Sequence, residues 1–96
     1  MKELAKGLYK HFKGNYYLVE GVAIHSETLD DIVVYRAMYG DRQLFVRPLS
    51  MFTEMVEHMG SSVKRFRPLT DKETADYFVK DLVQSITDSI LGTNDK

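Results

Sequence analysis

Short apolar and aromatic runs, separated by turn residues, fill the chain from Gly7 to about Leu69. Runs of this kind, rich in β-branched and aromatic side chains, predict strands. The predicted strands are GLYKHF (7–12), YYLVEGVAIH (16–25), IVVYRAMY (32–39), LFVRP (44–48) and VKRFRPL (63–69). Short strands at roughly ten-residue spacing are typical of a small antiparallel barrel. We therefore predict a mainly β domain over residues 7–69.

Several residues interrupt or connect these strands. Gly21, in the middle of the second run, indicates a bulge that bends the strand. Pro48 ends the fourth strand, and residues 49–52 then predict a short helical turn followed by an extended segment. The predicted turns and loops are Lys13-Gly14-Asn15, SETLDD (26–31), Gly40-Asp41-Arg42 and Gly60-Ser61-Ser62.

From Thr70 the pattern changes to that of an amphipathic helix. Thr70-Asp71-Lys72-Glu73 matches the capping box that opens many helices. Apolar residues then recur at helical spacing: Ala75, Phe78, Val79, Leu82, Val83, Ile86 and Ile90. Gly92 is placed to end the helix, and residues 93–96 are expected to form a disordered tail. The helix would be about 30 Å long, similar to the width of the β domain. Helix 70–92 is therefore predicted either to pack on that domain or, where its apolar stripe extends beyond it, to mediate a homodimer.

Composition and charge narrow the range of functions. The chain of 96 residues is 44% hydrophobic and 28% charged, and its net charge of −1 gives no overall attraction to nucleic acid or to an anionic membrane. Residues 1–69 contain ten basic and eight acidic side chains, a net charge of +2. Residues 70–96 contain three basic and six acidic side chains, a net charge of −3. The chain has no cysteine, which excludes disulfides and thiolate catalysis. It shows no signal-peptide pattern and no apolar run long enough to span a membrane, so we expect a cytoplasmic protein without membrane contact or cofactor.

The segments GLYKHFKGNYYLVEGVAIHSET, VVYRAMYG and LFVRPLSMF follow one another between residues 7 and 52. They resemble a widespread bacterial family of short proteins that is known only as a domain of unknown function. Its pattern is G-x-Y-x-H-F/Y-K-G-x-x-Y, A-x-H-S-E-T, V-V-Y-x-x-x-Y and W/F-V-R-P-x-x-M-F, and the match covers about residues 7–67. The resemblance implies a small Src-homology-3-like barrel and no established activity. Phe45 stands where the family usually has Trp, and the tail from Thr70 extends beyond the family's short form.

The stretch His25-Ser26-Glu27-Thr28 places an imidazole, two hydroxyls and a carboxylate in consecutive positions. The favoured interpretation is a strand end whose Ser26 and Thr28 hydroxyls bond backbone amides and close a turn. In the alternative, His25 is a general base oriented by Glu27, as in a small hydrolase-like enzyme. Adjacent residues of a strand point to opposite faces, so Ser26 is poorly placed for a triad with His25. No catalytic residue is predicted.

Polar and aromatic side chains at strand ends form a candidate rim for a small anionic or nucleobase-containing ligand. The rim consists of Tyr9, His11, His25, Glu27, Tyr35 and Arg47, with Tyr39 as a further member. Arg47 is favoured as a structural anchor, and presentation of its fork to a ligand is the alternative. His11, His25 and Glu27 are also a known type of metal-ligand set, but nothing in their spacing requires them to converge, and no metal is predicted.

The stretch Lys64-Arg65-Phe66-Arg67 combines basic residues with one aromatic ring. Proteins that bind single-stranded nucleic acid use cations to follow phosphates and rings to stack on bases. Inward packing of Phe66 is favoured here, so nucleic-acid binding through Lys64, Arg65 and Arg67 is an alternative that is not favoured. The sequence as a whole favours a non-enzymatic binding module. A hydrolase-like enzyme, or a structural protein assembled through its C-terminal helix, is the alternative.

Overall fold

The computed structural model of the protein describes residues 3–91, which form seven strands and two helices. In chain order these are β1 (Gly7–His11), β2 (Tyr16–Ile24), β3 (Asp31–Ala37), β4 (Leu44–Pro48), α1 (Leu49–Phe52), β5 (Met55–His58), β6 (Ser61–Lys64), β7 (Phe66–Pro68) and α2 (Asp71–Leu91). The prediction of a mainly antiparallel β fold with a C-terminal helix is confirmed. The predicted helix end at Gly92 and the predicted tail, residues 93–96, lie outside the described residues.

The strands form two antiparallel sheets. Five strands pair in the order β4-β3-β2-β1-β7, and β5 pairs with β6 in a separate hairpin. Two backbone hydrogen bonds link the sheets just before β7. The amide of Arg65 donates to the backbone carbonyl of Glu54, and the amide of Phe12 donates to the backbone carbonyl of Arg65. Over residues 3–91 the strand pairing does not continue around the core, so the sheets do not close into the barrel that the strand spacing predicts.

Arg65 divides the predicted last strand in two. The prediction of one strand over residues 63–69 is wrong, because Ser61–Lys64 pairs with β5 and Phe66–Pro68 pairs with β1. The predicted loop over residues 60–62 is accordingly a hairpin turn at Met59 and Gly60, whose φ angles of 51° and 81° suit a two-residue type I′ turn. The side chain of Arg65 also bonds Glu54, with Nε 2.8 Å from the carboxylate. These contacts fix the point at which the chain passes from one sheet to the other.

Gly21 accompanies a bulge in β2, as predicted. The pairing of β2 with β3 shifts register between Val19 and Gly21. Beyond the shift, Val22 lies opposite the fully buried Val33, so Val22 rather than Gly21 continues the core face. If side chains had alternated without interruption along β2, His25 would follow Val19 on the core face. The one-residue shift in register places His25 on the opposite face.

The core lies between the inner face of the five-stranded sheet and the short helix α1. Its buried residues are Tyr9, Val19, Val33, Tyr35, Leu49, Phe52 and Phe66. Phe52 and Phe66 stack with ring centroids 4.1 Å apart and 3° between their planes. Tyr9 and Tyr35 each meet Phe52 edge-on. The single turn of α1 therefore supplies the ring at the centre of an aromatic core.

Helix α2 begins with the predicted capping box. The amide of Glu73 donates to Thr70 Oγ1 at 3.1 Å, and the amide of Thr70 donates to the Glu73 carboxylate at 2.9 Å. The same carboxylate accepts two hydrogen bonds from the Arg67 guanidinium, at 2.8 and 3.0 Å. Glu73 thereby joins the start of α2 to β7.

This junction is predicted to weaken in acid. Hydrogen bonds from the Arg67 side chain and the Thr70 amide lower the pKa of Glu73 from 4.5 to about 2. A carboxyl with a lowered pKa in the folded state stabilises the fold fully above its unfolded pKa, and this contribution is lost as pH falls through the folded value. NMR titration of the Glu73 carboxyl should therefore give a midpoint near 2, and Arg67→Met should raise it toward 4.5. Arg36→Met, which removes the partner of Glu20 instead, is the control and should leave the midpoint unchanged. An unaltered midpoint in Arg67→Met would contradict the assigned cause.

Candidate functional site

The structure places the residues of the predicted rim in three different settings. Tyr9 and Tyr35 are buried in the core, and His11 and Arg47 are half-buried at its open side. His25 and Glu27 are exposed in the loop between β2 and β3. From Tyr16, beside the end of β1, the chain runs nine residues to His25, about 30 Å at the rise of an extended strand. His11 and His25 therefore do not meet, and the six residues do not form one site.

The imidazole of His25 closes the loop between β2 and β3. Its Nδ1 accepts hydrogen bonds from the amides of Glu27 at 3.1 Å and Thr28 at 3.2 Å. Thr28 Oγ1 accepts one from the amide of Asp30 at 3.3 Å. Asn and Asp side chains close turns by accepting such backbone hydrogen bonds, and here the imidazole does so. The sequence predicts that the Ser26 and Thr28 hydroxyls accept these bonds, but the His25 ring accepts two of the three. Between residues 3 and 91, no hydrogen bond joins this imidazole to the Glu27 carboxylate.

Sheet alternation brings Arg47 and Phe45 to the core face of β4. Arg47 pairs with Val33 and Phe45 pairs with Tyr35, and directly opposite residues share a face of the sheet. Because β4 is an edge strand, these two side chains are only partly covered. The guanidinium carbon of Arg47 lies 5.9 Å from the ring centroid of Phe66, and its Nε lies 3.4 Å from the Tyr35 hydroxyl.

Seven side chains form a continuous, mostly aromatic patch, the Arg47 surface: His11, Tyr17, Tyr35, Tyr39, Phe45, Arg47 and Phe66. Tyr35 and Phe66 form its buried floor, and Tyr17 packs edge-on against both with ring centroids 5.5 Å away. Tyr39 and Phe45 are 44% and 39% exposed and form its outer part. The patch thus presents partly exposed rings next to a guanidinium.

Arg47 differs from the other arginines because no carboxylate among residues 3–91 pairs with it. All five arginines of the chain lie between residues 3 and 91, and within that range Arg47 forms no ion pair. The other four are paired: Arg36 with Glu20, Arg42 with Asp81, Arg65 with Glu54 and Arg67 with Glu73. Guanidinium groups in proteins commonly pair with a carboxylate or a phosphate, and the described part of this chain supplies neither to Arg47.

The pKa values of His11 and Tyr17, which belong to this surface, are both shifted in the direction that favours the uncharged form. Burial, followed by the charges of Arg65, Lys13 and Arg47, lowers the pKa of His11 below its usual 6.5. Burial, followed by a hydrogen bond with Tyr39, raises the pKa of Tyr17 to about 12. The two hydroxyl oxygens are 2.9 Å apart. The charge that this surface offers a ligand is therefore positive and comes from Arg47.

The cations of the predicted nucleic-acid stretch lie outside the Arg47 surface. Arg65 bonds Glu54, and Arg67 bonds Glu73. Phe66 is 4% exposed, so no base can stack on it. Lys64 lines an open groove of about 310 Å³, together with Lys10, His11, Phe12, His58, Val63 and Arg67. This stretch therefore lacks the exposed ring between cations that single-strand binding uses.

Two larger depressions are lined by no residue of the predicted rim or of the Arg47 surface. One, of about 530 Å³, is lined by Glu3, Asp30 and Asp31 along with residues around α1. The other, of about 520 Å³, lies between α2 and β2. Both are wide open, and the first would repel an anion. The Arg47 surface is the candidate site because several rings meet there beside a guanidinium that has no ion pair within residues 3–91.

Sequence reasoning missed Tyr17, Phe45 and Phe66 as members of this site. Phe45 had a signal, because alternation along LFVRP places it on the same face as Arg47. Phe66 had none, because its position depends on the break at Arg65.

The possible metal ligands His11, His25 and Glu27 are not assembled into a centre. In the part of the chain that the structure describes, no three His, Asp or Glu side chains are close enough to hold a metal ion. No helix between residues 3 and 91 is long and apolar enough to cross a membrane.

The fold and the site define a small, mainly antiparallel β protein in which one arginine, without an ion pair among the described residues, lies on an aromatic surface. A family model described as "Protein of unknown function (DUF1653)" matches residues 7–68, and the chain belongs to this family. It is similar to the crystal structure of a DUF1653 protein from Bordetella bronchiseptica, with a TM-score of 0.65 and 31% sequence identity over 69% of this chain and 87% of that chain. No curated protein matches the chain. The family resemblance of the sequence motifs is confirmed, and α2 begins beyond the matched residues.

Proposed function

We propose that the protein is a cytoplasmic, non-enzymatic binding module that recognises a small anionic or nucleobase-containing ligand on the Arg47 surface. The observation that carries this proposal is the lack of a carboxylate partner for Arg47 among residues 3–91, where every other arginine has one. Arg47 is half-buried, and a charge attracts an opposite charge more strongly at such a position than in open water. A ligand anion would supply the missing partner.

The surrounding rings favour a ligand that also has a planar part. Guanidinium groups bind carboxylates and phosphates through two parallel hydrogen bonds. A nucleobase that stacks on an aromatic side chain gains affinity, and any of the bases can do so because each has a flat face. Tyr39 and Phe45 are the partly exposed rings of this surface. A phosphate or carboxylate on Arg47 with a planar group against these rings would use both features.

A hydrolase-like enzyme built on His25 and Glu27 has less support. Both side chains are exposed, and His25 Nδ1 already accepts hydrogen bonds from two backbone amides. Catalysis by this pair would need an enclosed pocket and a nucleophile or activated water within reach. The loop geometry supports a structural role for His25 instead.

Replacing Arg47 with methionine tests the proposal, because methionine keeps an unbranched apolar stem and removes the charged fork. The four ribonucleoside 5′-monophosphates serve as probes in amide NMR titrations. We expect saturable shifts at Tyr39, Phe45 and Arg47 in the native chain and at least ten-fold weaker binding in Arg47→Met, because a hydrogen bond to a charged group contributes about 1.5–3 kcal/mol. Arg42→Met is the matched control, since Arg42 lies outside the Arg47 surface, and its binding should be unchanged.

Other outcomes would overturn the proposal in distinguishable ways. Shifts confined to His25 and Glu27 would favour the enzyme alternative, and shifts confined to the groove around Lys64 would favour an anion or nucleic-acid site there. Equal affinities of the native chain and Arg47→Met would show that Arg47 does not bind the probe. Absence of saturable shifts with all four nucleotides would rule out the proposed ligand class. A urea midpoint close to that of the native chain would verify that Arg47→Met is folded.

A further inference from the structure

Helix α2 contacts the β sheets through a polar face. Its contact residues Glu73, Tyr77 and Asp81 follow one another at four-residue spacing, so they occupy one narrow face of the helix. The contacts are Glu73 with Arg67 at 2.8 Å, Tyr77 with Tyr16 at 5.1 Å between ring centroids, and Asp81 with Arg42 at 3.9 Å. The side of α2 that faces its own domain is therefore polar, the reverse of the usual arrangement for an amphipathic surface helix.

The apolar residues of α2 lie on the opposite side. At 100° per residue, the centre of the polar contact face and the centre of the apolar stripe are about 180° apart around the helix. The stripe consists of Ala75, Phe78, Val79, Leu82, Val83, Ile86 and Ile90, and its six largest members are between 50% and 72% exposed. A continuous apolar surface of this kind marks an interaction site. The domain to which α2 belongs does not cover it.

The charges of α2 restrict what can cover the stripe. Residues 71–90 contain five acidic and two basic side chains, a net charge of −3. Helices that lie on anionic membranes have basic polar faces, so the lipid surface is disfavoured. The cover that fits is a protein surface that is apolar over the length of the stripe.

A second copy of α2 meets this requirement, because six of the seven stripe residues are placed symmetrically along the helix. Its members form three pairs equidistant from the midpoint between residues 82 and 83: Leu82 with Val83, Val79 with Ile86 and Ala75 with Ile90. An antiparallel pair of helices related by a two-fold axis through that midpoint would set apolar residues level with one another at these three pairs, with Phe78 level with Thr87. The same operation sets Asp76, Lys80 and Asp88 at the levels of Ser89, Ser85 and Tyr77, so none of these charges lies level with a like charge. Opposed helix dipoles also favour the antiparallel arrangement.

We propose that the protein forms a homodimer in which α2 of one copy packs antiparallel against α2 of the second copy. The two-fold axis passes between Leu82 and Val83. The polar face of each helix stays on its own domain through Glu73, Tyr77 and Asp81. Because α2 crosses the outer face of the sheet, beside Tyr16 and Arg67, the dimer leaves both Arg47 surfaces open.

Sedimentation equilibrium of the full chain over a concentration series tests this dimer. Leu82→Glu places two carboxylates near the axis, and we expect it to raise the dimer dissociation constant at least ten-fold. Gln84→Glu adds the same charge on the polar side of α2, next to the contact face, and should leave the constant unchanged. A native chain that stays monomeric up to about 1 mM, or equal effects of the two variants, would overturn the proposal. Matching circular dichroism spectra would show that the variants keep the helix.

Disulfide trapping tests the orientation, and the chain suits it because it has no native cysteine. Ala75→Cys and Ile90→Cys are made as separate proteins and oxidised alone and as a mixture. The antiparallel dimer brings position 75 of one copy opposite position 90 of the other, so the disulfide should form in the mixture and not within either protein alone. Disulfides that form within each separate protein would instead show parallel helices and overturn the proposed arrangement.

Discussion

Replacing Phe52 with alanine is expected to lower the free energy of unfolding by about 3–5 kcal/mol. Phe52 is 1% exposed and stacks on Phe66, and its ring also meets Tyr9 and Tyr35 edge-on. The substitution would leave a cavity lined by rings that the sheet holds in place, so burial and ring contacts are both lost. The chain contains no Trp, and urea unfolding followed by circular dichroism is the suitable measurement.

Met51→Ala is the matched control for this prediction. Met51 lies in the same helical turn but is 45% exposed, so its truncation should change the free energy of unfolding by no more than about 0.5 kcal/mol. The comparison separates the effect of the buried ring from any effect on the helix itself. Similar losses in the two variants would contradict the assignment of Phe52 to the centre of the core.

Replacing Phe66 with alanine is expected to have a second effect of comparable size, about 3–5 kcal/mol. Phe66 stacks on Phe52 and contacts His11, Tyr17 and Tyr35. Since the two phenylalanines stack on one another, the double variant should lose less than the two single variants together, by about 0.5–1.5 kcal/mol. A double-variant cycle by urea unfolding measures this coupling.

Phe66 also supports the Arg47 surface, which separates its role from that of Phe52. Arg47 lies over the Phe66 ring, so Phe66→Ala should weaken nucleotide binding as well as stability. Phe52→Ala, with a similar loss of stability, should weaken binding less, because Phe52 is not part of that surface. Phe12→Ala is the control on a half-buried ring beside His58 and should cost less stability than either core variant.

If the stability losses of Phe52→Ala and Phe66→Ala simply added in the double variant, the stacked pair would not be supported.

The sequence pattern predicted much of the fold because these elements depend on interactions between residues close together in the chain. Strands β1 to β4 follow runs of β-branched and aromatic residues, which fit a pleated and half-buried surface. Pro48 removes a backbone donor and ends β4 before α1. Thr70 and Glu73 can satisfy the first amides of α2 without help from the rest of the chain. Each of these predictions depends on residues a few positions apart.

Pairing between distant segments was not predictable in the same way. Nothing in VKRFRPL marks Arg65 as the point where the chain changes sheets, because that break depends on Glu54, eleven residues earlier. The bulge was expected at Gly21, but its consequence for His25 depends on how β2 is paired with β3. The loop role of His25 likewise depends on the direction in which its imidazole turns.

The sequence by itself determined the family, the mainly β class, most strand positions and an amphipathic C-terminal helix. These follow from motif order and from periodicities of two and 3.6 residues, which are local properties of the chain. The tertiary structure alone decided that Arg47 meets Phe66 while His25 lies elsewhere, and that α2 contacts its domain through its polar face. Such choices depend on register and on contacts between residues far apart in the chain, where a shift of one position changes which side chains meet. No periodicity along the sequence encodes them.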